Sequence, residues 1–111
     1  MNRDEFARNL AAGTYDLIVL DVLHQGPNYG YGIVKRVFEQ SKRTILWHEG
    51  TLYPVLHRLE KRGLLTGEWK RPKQGHERCY YRLTARGQRL RREQREQWRT
   101  FSRGVNMLLG S

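Results

Sequence analysis

Tyr53, His57, Arg58, Lys61 and Arg62, all able to donate hydrogen bonds or carry positive charge, fall within one short amphipathic segment. The chemistry open to such a set is recognition of a polyanion: lysine and arginine neutralise phosphates, while hydroxyl and imidazole groups reach sugars and base edges. The segment runs from Glu49 to Leu65. Leu52, Val55, Leu56 and Leu59 recur at helical spacing and define one buried face. At about 100° per residue the opposite face carries Gly50, Pro54, His57 and Lys61, with Tyr53 and Arg58 on its flanks. That face is flat at its start and then basic and aromatic, a shape suited to the DNA major groove. The bland alternative is a solvated charged face, which is the usual fate of such surfaces.

Other chemistry finds little support. His76 and Cys79 make a single pair, and His24, His48 and His57 lie on separate elements, so no metal site is expected. There is no phosphate loop, no G-x-S-x-G and no H-E-x-x-H. No enzyme and no cofactor are expected. The one cysteine excludes an internal disulfide and fits a reducing compartment.

The surrounding elements follow from periodicity and punctuation. Residues 3–11 suit a short helix with Phe6 and Leu10 as its large apolar side chains. After Gly13, Thr14 is a plausible cap for a helix from Tyr15 to His24, apolar on most faces and so central to the core. Gln25-Gly26-Pro27-Asn28 is a turn. A helix from about Tyr31 to Gln40 turns Ile33, Val34, Val37 and Phe38 inward and Lys35 and Arg36 outward. Pro54 lies unusually far into the next helix, which predicts an irregular start with Gly50 relieving the proline clash. Gly63 ends that helix. Leu65 to Arg71 and Arg78 to Leu83 read as two strands, and Thr84 caps a last helix reaching about Leu109. After the short N-terminal helix, three small helices, a hairpin and a long helix form the winged helix-turn-helix plan, mainly α with a small β-hairpin. Residues 1–84 would be the DNA-binding domain and 85–111 a dimerisation helix.

The charge distribution agrees. A net charge of +10 on 111 residues calls for a polyanionic partner, nucleic acid or an anionic membrane surface. The hairpin tip gathers Lys70, Arg71, Lys73, His76 and Arg78 around Glu77, which suits phosphate contact and also protects a strand edge. In the last helix, residues 86–103 hold seven arginines against two glutamates and read as solvated. Trp98, Phe101, Val105 and Leu108 make an apolar stripe that needs a cover. A partner chain is the natural one, with packing of residues 3–11 in the same chain as an addition. Trp98 at such a seam could stack on a planar aromatic ligand, or be plain core. Met1 to Phe6 lack an apolar signal region and the longest apolar run is Leu17 to Leu20, so a soluble, cytoplasmic protein without membrane association is expected.

Three motifs in order resemble PadR-type transcriptional regulators: Gly26-Pro27 with Gly30-Tyr31 and Ile33; Glu49-Gly50-Thr51-Leu52-Tyr53-Pro54 with Leu56 to Glu60 and Gly63-Leu64-Leu65; and Tyr80-Tyr81-Arg82-Leu83-Thr84 with Gly87. The resemblance spans about residues 14–109 and implies a homodimeric repressor of the short subgroup, binding an inverted-repeat double-stranded DNA operator. It further implies release by an aromatic or drug-like effector. The sequence departs from the pattern at Gly32, where many members carry Glu, and at His48, where a stronger capping residue is usual. Glycine at position 32 is expected to loosen the helix start by about 0.5–1 kcal/mol. Tyr53, His57 and Lys61 are the expected base or sugar contacts; Thr51, Arg58, Lys35, Arg36, Lys73 and Arg78 are the expected phosphate contacts. A constitutive nucleic-acid binder without effector is the alternative.

Overall fold

A computed structural model describes residues 2–71 and 75–111, and Lys73 lies outside them. The elements are helices α1 (Arg3–Ala12), α2 (Tyr15–His24), α3 (Gly30–Gln40) and α4 (Glu49–Lys61), strands β1 (Leu65–Lys70) and β2 (Arg78–Leu83), and helix α5 (Ala85–Leu109). Mainly helical with one antiparallel hairpin, this is the winged helix-turn-helix read from the sequence.

The α1–α2 junction departs from the expected capping. Asn2 caps α1, its side-chain oxygen accepting from the Glu5 N–H at 2.8 Å. Thr14 does not cap α2 with its side chain; its hydroxyl instead donates back to the Ala11 carbonyl at 3.0 Å. With ψ near −3° the Thr14 backbone is already helix-like, so its side chain serves the end of α1. Asp16, in the first turn of α2, offers charge to the helix N-terminus instead.

α2 is the central element. It packs against α3, α4, β2 and α5, burying Val19, Leu20, Val22 and Leu23. Ile33, Val34 and Val37 from α3, and Leu52, Val55, Leu56 and Leu59 from α4, close around it. Trp47 is buried beside them, edge-on to Tyr15 with ring centroids 5.0 Å apart. Each large aliphatic chain so buried contributes about 1.5–3 kcal/mol, which ties the orientation of α4 to the core.

α4 starts without a side-chain cap at His48, whose carbonyl accepts from both Thr51 and Leu52. Pro54 is accommodated inside a helix that runs unbroken. The space beside Gly50 is open: a Cβ there would meet nothing within 4 Å. What the glycine leaves is a flat outer surface. At the other end Gly63 adopts φ +76° and the Leu64 N–H returns to the Leu59 carbonyl, a left-handed helix stop that favours glycine.

The hairpin pairs Leu65 with Leu83 through to Lys70 with Arg78. A third stretch, read as plain turn in the sequence, joins it: Asn28 donates to the Tyr81 carbonyl and accepts from the Tyr81 N–H, at 3.0 and 2.8 Å. The Asn28 side chain also accepts from the Tyr29 N–H and sits where a Cβ on Gly32 would fall, 2.0 Å away. Gly32 therefore makes room for this local bond. Thr84 caps α5, accepting from Gly87 N–H at 3.1 Å while donating to the Gly63 carbonyl at 2.7 Å.

The first half of α5 is not simply solvated. Arg91 is 9 % exposed, and its Nε donates to Asp21 on α2 at 3.0 Å. Leu90 packs against the core and Gly87 is buried. Gly87 lies against Leu64 and Leu83, while Arg91 and Gln94 turn toward α2; Gly, Arg and Gln at these positions carry no apolar signal, so a search for apolar spacing passes over them. Nor does α1 cover the apolar stripe further along α5: Phe6 and Leu10 are both more than half exposed. Ala12, the last residue of α1, and the following Gly13 reach the space beside Trp98 and Phe101.

Candidate nucleic-acid interface

The amphipathic face of α4 separates as the spacing predicts. Leu52, Val55, Leu56 and Leu59 are buried, while Thr51, Tyr53, Pro54, His57, Arg58 and Lys61 are exposed. These exposed residues differ in freedom. Thr51, His57 and Lys61 face solvent. Tyr53 has a packing duty: its ring and hydroxyl lie over the start of α3, so that a Cβ on Gly30 would sit 2.7 Å from the hydroxyl oxygen. Gly30 must therefore stay glycine for the aromatic ring to lie there. Burial, and then the nearby Glu49 carboxylate, push the Tyr53 hydroxyl pKa up, so it remains a hydrogen-bond donor at neutral pH. The Tyr53 and His57 rings lie 6.4 Å apart, one helical turn along the same flank.

Arg58 is turned toward α2, where its guanidinium pairs with Asp16; Arg62 lies 3.6 Å from the other oxygen of the same carboxylate. Both arginine side chains remain about half exposed, so the pairing is a solvent-screened contact that orients them. Asp16 was not among the expected site residues. Its partners lie far along the chain, and nothing in local spacing announces them.

The other expected phosphate contacts are positioned by neighbours. Arg36 donates to the Gln25 side-chain oxygen at 2.9 Å, and Gln25 in turn exchanges bonds with Gln40. Lys35 lies 5.9 Å from the centre of the Tyr31 ring. Arg78 stacks over Tyr29 at 4.5 Å, Tyr29 meets Tyr80 at 5.3 Å, and Lys70 lies 5.6 Å over Tyr80. This alternation of cations and rings fixes two long side chains at the wing and keeps their charges outward. Tyr29 and Tyr80 are thus positioning residues that charge counting missed; the aromatic run at Tyr80-Tyr81 was the available signal. Glu60 on α4 accepts the Gly67 N–H of β1 at 2.9 Å and ties helix to wing. Beneath that tie, burial raises the Tyr81 hydroxyl pKa, with its hydrogen bond to Cys79 the next cause.

Two cavities flank Trp98. One of about 310 Å³ is lined mainly by Leu17, Ile18, Val22, Val37 and Ile45, with Asp21 and Arg95 at its polar edge. The other, about 330 Å³, is polar, and it brings Asp16 and Arg58 together with Gln94, Trp98 and Phe101. The Gln94 side-chain oxygen is buried there without a hydrogen-bond partner among the described residues. Phe101 is 64 % and Leu108 88 % exposed, while Val105 is half-buried. Among the described residues, no group of three or more His, Cys, Asp or Glu side chains comes together as a metal site.

Helix α4 set just before a two-stranded wing, with a long terminal helix after it, defines a winged-helix protein of the transcription-factor class. The profile of the PadR-like family of transcriptional regulators matches residues 19–93, and the chain belongs to that family. A PadR-family transcriptional regulator from Eggerthella lenta is 38 % identical, with a TM-score of 0.81 over 96 % of this chain and 90 % of the other. A transcriptional regulator from Clostridium thermocellum is 28 % identical, with a TM-score of 0.80 over 96 % of each chain. The fold is also that of Bacillus subtilis PadR, solved in complex with operator DNA: TM-score 0.64, 23 % identity, 70 % of this chain and 44 % of that one.

Proposed function

We propose that this PadR-like regulator binds an inverted-repeat DNA operator as a homodimer, represses transcription there, and is released by a small aromatic or drug-like ligand beside α5. The observation that carries the reading is the outer face of α4, where Thr51, His57 and Lys61 are exposed beside a wing whose cations are held outward by tyrosines. The fold shared with a PadR solved in complex with operator DNA supports a DNA partner. In this reading Tyr53, His57 and Lys61 touch bases or sugars. Thr51, Lys35, Arg36, Lys73 and Arg78 hold phosphates, and Arg58 does so from its ion pair with Asp16. Residues 1–84 supply the DNA contact and 85–111 the dimer contact, with the first turns of α5 shared by the core. Among the described residues no helix is long and apolar enough to cross a membrane. A cytoplasmic site of action follows from the role.

Selection from random duplexes tests the reading directly: one palindromic sequence with half-sites about 10 base pairs apart should be enriched. If no duplex is enriched, the reading fails. On the selected duplex, Lys61→Ala is expected to weaken binding and Lys73→Ala to lower the slope of log affinity against log salt by about 0.9, one phosphate's worth. An unchanged slope in Lys73→Ala removes that residue from the interface.

The apolar cavity beside Trp98 supports the effector. With Trp47 and Trp69 replaced by phenylalanine, planar aromatic compounds should shift or quench Trp98 emission at concentrations that weaken DNA binding. If a panel of such compounds alters neither signal, the constitutive binder without effector is the better description.

A further inference from the structure

We propose that Trp69 is a DNA contact of the wing, its indole seated against the sugars of the minor groove next to the major groove entered by α4. The proposal rests on the DNA-binding reading above and adds a contact of a different chemistry. Trp69 is 69 % exposed, whereas Trp47 is 5 % exposed in the core. An indole left in water on so basic a chain is a surface made for a partner with both apolar and polar parts.

The strand register says which way it points. Leu65, Gly67 and Trp69 share one face of the hairpin, opposite Leu83, Tyr81 and Cys79. The first positions of that face are closed over by the core: Leu65 and Tyr81 are buried, and Gly67 is bonded to Glu60 of α4. Cys79, the cross-strand partner of Trp69, lies within electrostatic reach of Tyr53 on the reading helix. Trp69 therefore continues the α4-facing side of the wing one step past its last covered pair. The opposite hairpin face holds Lys70, Tyr80 and Arg78, so cations and indole form the two sides of one projecting ribbon.

Charge complementarity selects the occupant. Lys70 and Arg71 follow Trp69 directly, with His76 and Arg78 across the hairpin; against Glu68 and Glu77, which lies 3.9 Å from Arg71, the cations are in excess, a setting that attracts phosphates and disfavours basic protein surfaces. Deoxyribose offers apolar C–H surface to the indole face, and minor-groove acceptors or phosphate oxygens can receive its N–H.

The test uses the full chain and the duplex found by selection, with Trp69→Ala and Trp69→Phe compared against the natural protein. An exposed side chain can be removed without loss of fold, which circular dichroism and thermal melting will verify. Trp69→Ala should weaken binding about tenfold or more and Trp69→Phe far less. The slope of affinity against salt should stay as in the natural protein, because no charge is lost. Hydroxyl-radical footprints should lose protection of the minor-groove sugars flanking each half-site. Binding within twofold of natural by Trp69→Ala, with an unchanged footprint, overturns the contact while leaving DNA binding intact. A changed salt slope overturns it too, since the loss then runs through displaced cations. If the natural chain selects no duplex, the parent reading falls and this one with it.

Discussion

Gly87→Ala is expected to destabilise the protein by about 3 kcal/mol or more, although alanine is the better helix former at that position by about 1 kcal/mol. A Cβ at Gly87 would lie 2.2 Å from the Leu64 carbonyl oxygen, with the Leu64 carbonyl carbon and a Leu83 methyl close behind. The obstacle is backbone, not a flexible side-chain end. That carbonyl also accepts the Thr84 N–H at 3.1 Å, and Thr84 is tied to Gly63, so neither strand nor helix start can yield alone. To admit one methyl group, α5 must rise off the hairpin and stretch the Arg91–Asp21 contact. Gly50→Ala is the control: the space around it is open, and relief of glycine's backbone entropy should stabilise by about 0.5–1 kcal/mol. Denaturant melts of the two variants should move in opposite directions. Equal and small effects would mean that the close approach of α5 to Leu64 is not the constraint.

Phe101→Asp is expected to convert the proposed dimer to a monomer at micromolar concentration and to lower operator affinity more than a hundredfold, while leaving the melting of the monomeric fold largely intact. Phe101 is 64 % exposed and contacts Trp98, so nothing in its own chain needs it buried. In the proposed seam, by contrast, an aspartate would meet the partner's stripe without a counter-charge, and an uncompensated buried charge costs several kcal/mol. Losing the dimer separates two half-site contacts that otherwise act at high effective concentration. Sedimentation reads the first effect and labelled-duplex anisotropy the second. A Phe101→Asp chain that sediments as a dimer would place the contact elsewhere than on Trp98, Phe101, Val105 and Leu108. Partial dissociation with normal operator binding would show that one reading unit suffices.

Much of the fold was legible because the governing interactions are local. The positions of Leu52, Val55, Leu56 and Leu59 declare a helix face at a fixed angular step, and Gly63 and Thr84 mark a stop and a start through bonds made within a few residues. The same local reading misjudged Thr14, where a two-residue junction left two helices competing for one hydroxyl. It also passed over Gly87, which meets Leu64 and Leu83 by close approach, and Arg91, which meets α2 through an ion pair instead of aliphatic packing. Asn28 was read as turn and is also a sheet partner of Tyr81, a pairing that no stretch of neighbouring residues could reveal.

The candidate site divides along the same line. Taken alone, the Glu49–Leu65 segment determined which side chains leave the core, because the amphipathic period fixes direction around a helix axis wherever that helix sits. The basic composition determined the sign of the partner's charge, since net charge survives any folding. Only the tertiary structure decided which cations are free and which are held: Arg58 is drawn to Asp16 across 42 residues, and Arg78 and Lys70 are stacked by Tyr29 and Tyr80. It alone placed Tyr53 against Gly30, where a donor on the outer face also locks two helices together. Side-chain direction is a property of local geometry, whereas side-chain freedom depends on what distant segments bring within a few ångströms, and that is settled when the chain closes on itself.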